Sequence, residues 1–478
     1  MLPASCPRLR KLTWYTCGTT LTVQRLLQQL TATGVLLEEL ELIGPCSPGL
    51  LASASEHPLQ VLRIDELAAE GPSGDLAANG PPAFGDVAEV AVCRASVALP
   101  AALLRLMTTL TDLSIQHTQH AQSATLVLLP LWSGLRRLRV TGPFRVVGAA
   151  AAVPLSLRYL NLTGSADCEW EEVWAKQPLG CLHTLRVHDV AARTFAAVVR
   201  DTQAVGDAST SAALPALRNL SCGRPVSLDR VLRLWPRLAR LVACNSVAVR
   251  DELIGAVAPP STYTHTGLRR LSIGALHGVL GLWLFPNLAR FGALLEGSDE
   301  KLALGWTLIR RCLTAAATTL HTVTFSEAPK SRKLDKAERR RLQRMRHTRS
   351  SRRQDRLPQS DNVAATVAHE LATVGEQWPA AFPKMRRAVF NFGVGFDANR
   401  PWMTTILDRA LSLTTLHVRA PGDGRNLMAW LAALGCRGAF ANLQHFHCDL
   451  PEQRSPDSEN HLRVAVPSLC YCGLRSVQ

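Results

Sequence analysis

The chain has 478 residues, of which 47 % are hydrophobic and 19 % charged, with a formal net charge of +15. That apolar fraction excludes wholesale disorder, and the low charge content argues against a coiled coil. The best candidate for a membrane span, Gly274 to Ala289, is broken by His277 and Pro286 and is too short and too interrupted to cross a bilayer as a helix.

The charge is unevenly placed. Lys330 to Arg356 carries thirteen basic and three acidic residues, +10 of the total, which leaves +5 for the rest of the chain. One segment therefore sets the balance, and the body is not uniformly basic. Arginine outnumbers lysine 46 to 7, a bias that a GC-rich genome produces as readily as a functional demand. Thirteen cysteines are scattered with no Cys-x-x-Cys pair, and MLPASCPRLRKLTWYTC has no apolar core of a secretory leader. Reduced, mostly buried thiols in a reducing compartment are expected. The first acidic residue is Glu38, and Arg8, Arg10, Lys11 and Arg25 precede it, a weak likeness to a mitochondrial presequence.

A hexamer of the form Leu-x-x-Leu-x-Leu, with other apolar residues allowed, recurs along the chain. Its first positions are Leu9, Leu37, Leu59, Val87, Leu110, Leu135, Leu157, Leu182, Leu217, Leu238, Leu268, Leu288, Leu320, Met385, Leu413, Leu443 and Leu469. Those at Val87, Leu288 and Leu469 fit least well. Successive hexamers lie 20 to 35 residues apart, except for one gap of 65. A proline often stands two residues before the first position, as at Pro7, Pro215, Pro236, Pro286, Pro383 and Pro467. Proline cannot donate to a strand ladder, so this place suits the residue just before a strand.

Seventeen such hexamers resemble a leucine-rich repeat protein over nearly the full length of the chain. In that family an Asn or Cys usually follows the hexamer by three residues and ties the loop backbone together. Here only Cys17 matches; Pro45, Thr118, Pro143, Ser165, Pro225 and Pro421 occupy equivalent places. The resemblance implies a diverged, irregular subtype: an α/β leucine-rich repeat solenoid, parallel sheet on the concave side and mostly helices on the convex side. Each hexamer is expected to be one short strand with its fourth and sixth residues inward, stable only through stacking on its neighbours. Seventeen strands at about 4.8 Å would span an arc of roughly 80 Å.

Between the hexamers the spacing predicts helices. Thr22 caps Val23 to Ala32, with Gly34 as the stop; Ala192 to Ala204 buries Phe195, Val198 and Val199; Lys301 to Ala317 carries Leu304, Leu308, Ile309 and Leu313. Pro401 opens a helix to Leu411, and Asn426 to Leu434 stops at Gly435. Gly/Pro-rich stretches at Ala68 to Gly85, Val205 to Ala213, Pro259 to Thr266 and Pro451 to His461 read as enlarged, unpacked loops. Three parts follow: solenoid over 1–328, a basic insertion over 329–360, and solenoid resuming over 361–478 with a helix from Asn362 to Gln377.

The insertion has three readings. It is a solvated loop, a nuclear-targeting signal built on Lys330, Arg332 and Lys333 with Arg339, Arg340 and Arg341, or a polyanion-binding arm that also uses Arg352 and Arg353. Thirteen cations would release many counterions, so binding to RNA would weaken steeply with salt. The arm contains no aromatic residue, so base stacking is unsupported.

If the fourth and sixth residues point in, the third, fifth and seventh form the exposed face. It begins with Glu39, Glu41, Arg63, Asp65, Glu89 and Asp112. From there to Met385 it holds Arg137, Arg139, Arg186, Arg240, Arg270, Arg290 and Arg387 with no acidic residue, and Tyr159, Asn161, His188 and Asn219 lie among them. An arginine stripe suits an acidic protein partner or a phosphate backbone; an arginine-rich composition gives the same face without any partner.

No catalytic, cofactor or metal constellation emerges. His445 and His447 share the exposed side of one hexamer while Cys448 points inward, so with Cys470 and Cys472 they do not converge on zinc. Gly393-Val394-Gly395 lacks the third glycine of a dinucleotide loop, and the sequons at Asn161 and Asn219 fall on expected strands. The first hexamer, at Leu9, has no capping helix or disulfide before it. Leu9, Leu12 and Trp14 are therefore covered by a partner or a second copy, or the chain continues upstream. The resemblance implies a non-enzymatic intracellular binding scaffold, cytoplasmic or nuclear with a mitochondrial alternative, that takes a protein partner of acidic character. The competing reading is an RNA- or ribonucleoprotein-associated factor.

Overall fold

The computed structural model describes residues 8–15, 20–46, 48–54, 56–67, 87–95, 109–117, 124–127, 134–142, 144–147, 156–164, 179–201, 214–223, 226, 228–243, 263–273, 283–295, 309–310, 312–327, 378–391, 401–419, 424–436, 438–450, 464, 466 and 468–476. The chain divides into two compact units, Met1–Val226 with Arg233–Leu238, and Ser227–Leu232 with Ala239–Gln478. The basic arm, with Lys330, Arg332, Lys333, Arg339, Arg340, Arg341, Arg352 and Arg353, and the helix expected from Asn362 to Gln377 lie outside the described residues.

In the first unit the elements run β1 Lys11–Tyr15, α1 Thr20–Ala32, β2 Glu39–Cys46, α2 Pro48–Ala54, β3 Val61–Leu67, β4 Glu89–Ala95 and β5 Asp112–His117. They continue with β6 Ala124–Val127, β7 Arg137–Thr141, β8 Phe144–Val147, β9 Tyr159–Thr163, β10 Thr184–Val187, α3 Val190–Asp201 and β11 Asn219–Cys222. Strands β1, β2, β3, β4, β5, β7, β9, β10 and β11 pair in that order, each parallel to the next. Strands β6 and β8 form a separate parallel pair.

The division between units falls within α4, Leu228–Leu234. The second unit then runs β12 Arg240–Ala243, β13 Tyr263–Thr264, β14 Arg270–Ile273, β15 Trp283–Leu284, β16 Arg290–Leu295, β17 Thr322–Glu327 and β18 Arg387–Asn391. It ends with α5 Pro401–Arg409, β19 Thr415–Arg419, α6 Gly424–Cys436, β20 His445–Leu450 and β21 Tyr471–Ser476. Here β12, β14, β16, β17, β18, β19, β20 and β21 pair parallel in sequence, while β13 and β15 pair apart from them. Both units are thus α/β, with a long parallel sheet, short helices and a solenoid-like repeat.

Every hexamer found in the sequence becomes one rung, and its third residue opens the strand, including those at Val87, Leu288 and Leu469. The first, fourth and sixth residues fill the core, as with Leu135, Leu138 and Val140 or Leu413, Leu416 and Val418, all essentially inaccessible. In β1 the equivalent Leu9, Leu12 and Trp14 are only half-buried, and Tyr15 is 65 % exposed.

A tight turn feeds many of the rungs. The first-position amide donates to the carbonyl three residues before it, as Leu217 to Leu214, Leu238 to Trp235, Leu288 to Phe285, Met385 to Phe382 and Leu469 to Val466. Those acceptor residues are all buried. Pro215, Pro236, Pro286 and Pro383 occupy the second place of this turn, where a fixed φ near −65° is favourable. This explains them better than a missing strand donor does, and it extends the repeat to apolar-Pro-x-Leu-x-x-Leu-x-Leu.

A second regular device joins the rungs. The amides of the second and third residues both donate to the second-residue carbonyl of the rung before. Arg136 and Arg137 share Thr111, Arg269 and Arg270 share Ala239, and Arg386 and Arg387 share His321, at 2.7 to 3.1 Å.

Several local expectations shift. Helix α1 starts at Thr20, ahead of Thr22, and ends as expected, with Gly34 at φ +74° and Val35 N–H donating to Leu30. Helix α6 runs through Gly435; the left-handed residue that ends it is Gly438, with Ala439 N–H donating to Leu434. Helix α5 ends at Arg409, short of Leu411. Of the loop expected over Pro259 to Thr266, Tyr263–Thr264 is a strand, its ring 5.2 Å from that of Trp283, and His265 is buried and accepts the Leu268 amide at 3.1 Å. In β2 a bulge at Gly44 (φ +109°) inserts a residue between Leu42 and Pro45 and turns Cys46 into the core. Cys46 thus fills the place that a cysteine at 45 would take. Burial pushes its thiol up to about 12, with Asp65 and Glu66 adding to the shift, so it stays protonated and unreactive.

Candidate partner-binding face

The exposed side of each rung is written by its third and fifth residues, and strand register fixes which of them stand side by side. In the first unit opposite charges meet. Lys11 pairs with Glu39 at 2.9 Å, Arg63 with Glu89 at 3.0 Å, and Arg137 with Asp112 at 3.4 Å, each across one strand step. The hydrogen bond and charge of Lys11 hold the Glu39 carboxyl below its ordinary value, and the bond from Arg63 to Glu89 raises the guanidinium's. These pairs are exposed and contribute little individually, but they neutralise the face. Arg137 is therefore already partnered, although its side chain is 72 % exposed.

Beyond Arg137 the first unit turns polar and basic. Arg139 and Arg186 stand on either side of Asn161, and Ser221 follows Arg186. The Arg186 guanidinium lies 5.7 Å over the Tyr159 ring, a cation–π arrangement. Asn219 Nδ2 donates to Thr184 Oγ1 at 3.0 Å. Asn161 is not part of the accessible face: it is 6 % exposed, and its Oδ1 accepts from Thr163 Oγ1.

Ser221 Oγ sits 3.4 Å from His188 Nε2, a contact spanning 33 residues. The His188 ring occupies the space that a side chain at Gly223 would need; a Cβ there would stand 2.7 Å from Nδ1. Burial holds His188 below its ordinary value and Arg186 adds to this, while Asp189 opposes it. Asp189, at φ +61°, precedes α3 and accepts the Arg193 amide. Writing the fifth and seventh residues of neighbouring hexamers side by side would have exposed this pair.

The second unit differs in kind. Arg240, Arg270 and Arg290 are direct register partners on β12, β14 and β16, so three guanidinium stems rise about 4.8 Å apart. Arg240 and Arg290 are exposed and Arg270 is half-buried. Thr322 interrupts the column, and Arg387 follows on β18. Among the described third, fifth and seventh residues from β12 to β18 there is no carboxylate. The register here sets arginine beside arginine, in contrast to the opposite-sign pairs of the first unit.

His447 packs edge-on to His417 with ring centroids 5.9 Å apart, while Cys448 is buried. Among the described residues no group of three or more His, Cys, Asp or Glu side chains could hold a metal ion, and no helix is long and apolar enough to cross a membrane. A dimple lined by Lys11, Glu39, Leu40, Glu41, Val61 and Arg63 encloses no water-sized space.

One solution property follows from the histidines. His57 is buried, accepts the Leu37 amide on Nδ1 at 3.5 Å, and is held below its ordinary value of 6.5 by burial, as His188 is. The unfolded chain then binds more protons than the folded one once the pH falls below about 6.5. Stability is full above that pH and is lost as the pH falls through the lowered values. The unfolding midpoint of the first unit should drop between pH 7.5 and 5.5, and His57→Gln should flatten that drop. An unchanged urea midpoint across the interval would contradict it.

No family model matches the chain, and no curated protein matches it.

Proposed function

We propose that the chain is a diverged leucine-rich repeat protein that acts as a non-enzymatic intracellular scaffold. In this reading helices line the convex side, and the concave face of the sheet receives an acidic protein segment. The observation that carries it is the column Arg240, Arg270, Arg290, three like charges in direct register on neighbouring strands. An acidic strand laid across the column would gain charge-assisted hydrogen bonds from planar, forked donors. Arg137, Arg139, Arg186 and Arg387 extend basic character to other parts of the face.

The experiment is cross-linking of the native full-length protein, identification of the co-purifying partner, and measurement of its affinity for charge-reversed variants. Arg240→Glu with Arg270→Glu and Arg290→Glu should weaken binding at least ten-fold, about 1.4 kcal/mol, and Arg186→Glu should weaken it less. Unchanged affinity with an intact circular-dichroism spectrum would remove the face from the account.

A second reading rests on the thirteen cations of Lys330 to Arg356: association with RNA or a ribonucleoprotein. It calls for retention on RNA that falls steeply with salt and disappears when that segment is deleted.

A further inference from the structure

We infer that the exposed face of β7, β9 and β10 in the first unit is a second docking surface for an acidic segment. It takes two carboxylates three residues apart in an extended chain, and a backbone carbonyl between them. The inference rests on the acidic-partner reading and adds the residues and the spacing that would read the segment.

Carboxylates on this side of the first unit stop at Asp112, which Arg137 already holds at 3.4 Å. Among the described third, fifth and seventh residues of β7, β9 and β10 there is none. Register sets Arg139, Asn161 and Arg186 in a row on these three strands, and both arginines are exposed. Neither forms an ion pair with a described residue. Arg186 is steadied by Tyr159, whose ring its guanidinium overlies at 5.7 Å, so it loses less freedom on binding an anion.

The residue between the two arginines is an amide with a donor to spare. Asn161 holds an outward position of its rung yet is 6 % exposed. Its Oδ1 accepts from Thr163 Oγ1 at 3.2 Å, while its Nδ2 donates to no described residue. That nitrogen is not one of the described side-chain nitrogens shut off from solvent without a hydrogen bond, so solvent reaches it. A recessed N–H donor of this kind admits a single acceptor atom, such as a carbonyl oxygen, rather than a bulky group.

The order cation, neutral donor, cation carries a spacing. Two strand steps separate Arg139 from Arg186, about 9.6 Å. A polyproline II chain rises about 3.1 Å per residue with three residues per turn, which puts residues i and i+3 about 9.3 Å apart on one side. In a β-extended chain the same-side distances are about 6.6 and 13 Å, and neither fits. Polyproline II makes no internal hydrogen bonds, so its carbonyls are open to a donor lying between the two charges. A nucleic-acid strand carries a charge at every nucleotide, which matches a neutral donor between cations less well.

The test uses the full chain and labelled probes in fluorescence anisotropy: a Glu-Pro-Pro repeat, its Gln-Pro-Pro twin, a Glu-Pro repeat of equal charge and an oligouridine of equal charge. The Glu-Pro-Pro peptide should bind at least about ten-fold more tightly than each of the others. Asn161→Asp keeps the shape of the side chain and the bond from Thr163 but turns the donor into an acceptor, and it should remove that margin. Arg139→Gln with Arg186→Gln, at exposed positions, should do the same and carries the test if the aspartate variant fails to fold. Tyr159→Leu should weaken binding about two- to five-fold, the size of an exposed cation–π contact, and Tyr159→Phe should not. Binding lost with Arg240→Glu, Arg270→Glu and Arg290→Glu but indifferent to the first-unit variants would overturn this surface and leave the acidic-partner reading standing. Failure of the Glu-Pro-Pro peptide to bind would also overturn it, and the cross-linked partner would then decide the broader reading separately. Equal binding of the Glu-Pro repeat would overturn the spacing, and tighter binding of oligouridine would overturn the choice of a peptide.

Discussion

Replacing Phe325 by alanine is expected to lower the stability of the second unit by about 3–5 kcal/mol, the range for a buried phenylalanine cut back to a methyl. Phe325 is the sixth residue of its rung and lies between two other rings. Its centroid is 6.0 Å from that of Phe291 on the preceding strand and 6.0 Å from that of Phe390 on the following one. All three rings are inaccessible to solvent. The register is held on both sides, Thr322 to Arg290 and Thr322 to Arg387, so the neighbouring rungs cannot slide together to close the cavity. The loss should therefore fall at the upper end of that range. In a repeat each rung leans only on its neighbours, so the amides of β16, β17 and β18 should lose hydrogen-exchange protection before those of β20. Thr324→Ala, one residue away on the opposite side of the same strand, should shift the urea midpoint only slightly. An equal effect of the two substitutions would contradict the inward and outward assignment of the rung.

Gly223→Ala is expected to destabilise the first unit by about 1–3 kcal/mol, the cost of forcing a methyl into an already packed place. The added Cβ would lie 2.7 Å from His188 Nδ1 and 3.1 Å from His188 Cα. The ring can be removed but the backbone cannot. Combining Gly223→Ala with His188→Ala should recover only part of the loss in a double-mutant cycle. Gly180→Ala, where no neighbour lies within 4 Å, is the control and should be close to neutral. Full recovery in the cycle would mean that the backbone approach between β10 and β11 is looser than the geometry requires.

The strands were legible because their signal is threefold: apolar spacing, the proline turn and repetition. Even Val87 and Leu469, weak as isolated hexamers, fall in phase because their neighbours force the register. What stayed hidden lacks such redundancy. Tyr263–Thr264 and Trp283–Leu284 are two residues each, too short for any period. Gly435 and Gly438 both suit a helix end by composition, and only the backbone tells which is left-handed. The bulge at Gly44 was masked by Pro45, which stands three residues after the hexamer, so Cys46 looked one residue out of phase. On the face, the arginines were readable as exposed residues, but their grouping was not. Whether an arginine's register partner is a carboxylate, as for Arg137, or another arginine, as for Arg270, depends on which rung is adjacent.

The shared carbonyl at the start of each strand has a wider consequence. Because within each unit two amides of a rung repeatedly dock on one oxygen of the rung before it, the count of residues restarts at such a coil, and an error in loop length does not propagate. Between Leu320 and Met385 the chain takes 65 residues to make a circuit that elsewhere takes 20 to 35, and Arg386 and Arg387 still dock on His321. Closing a loop twice as long costs only about 0.6 kcal/mol. Such an architecture lets evolution, or an engineer, splice foreign segments into its turns while the spine keeps its phase.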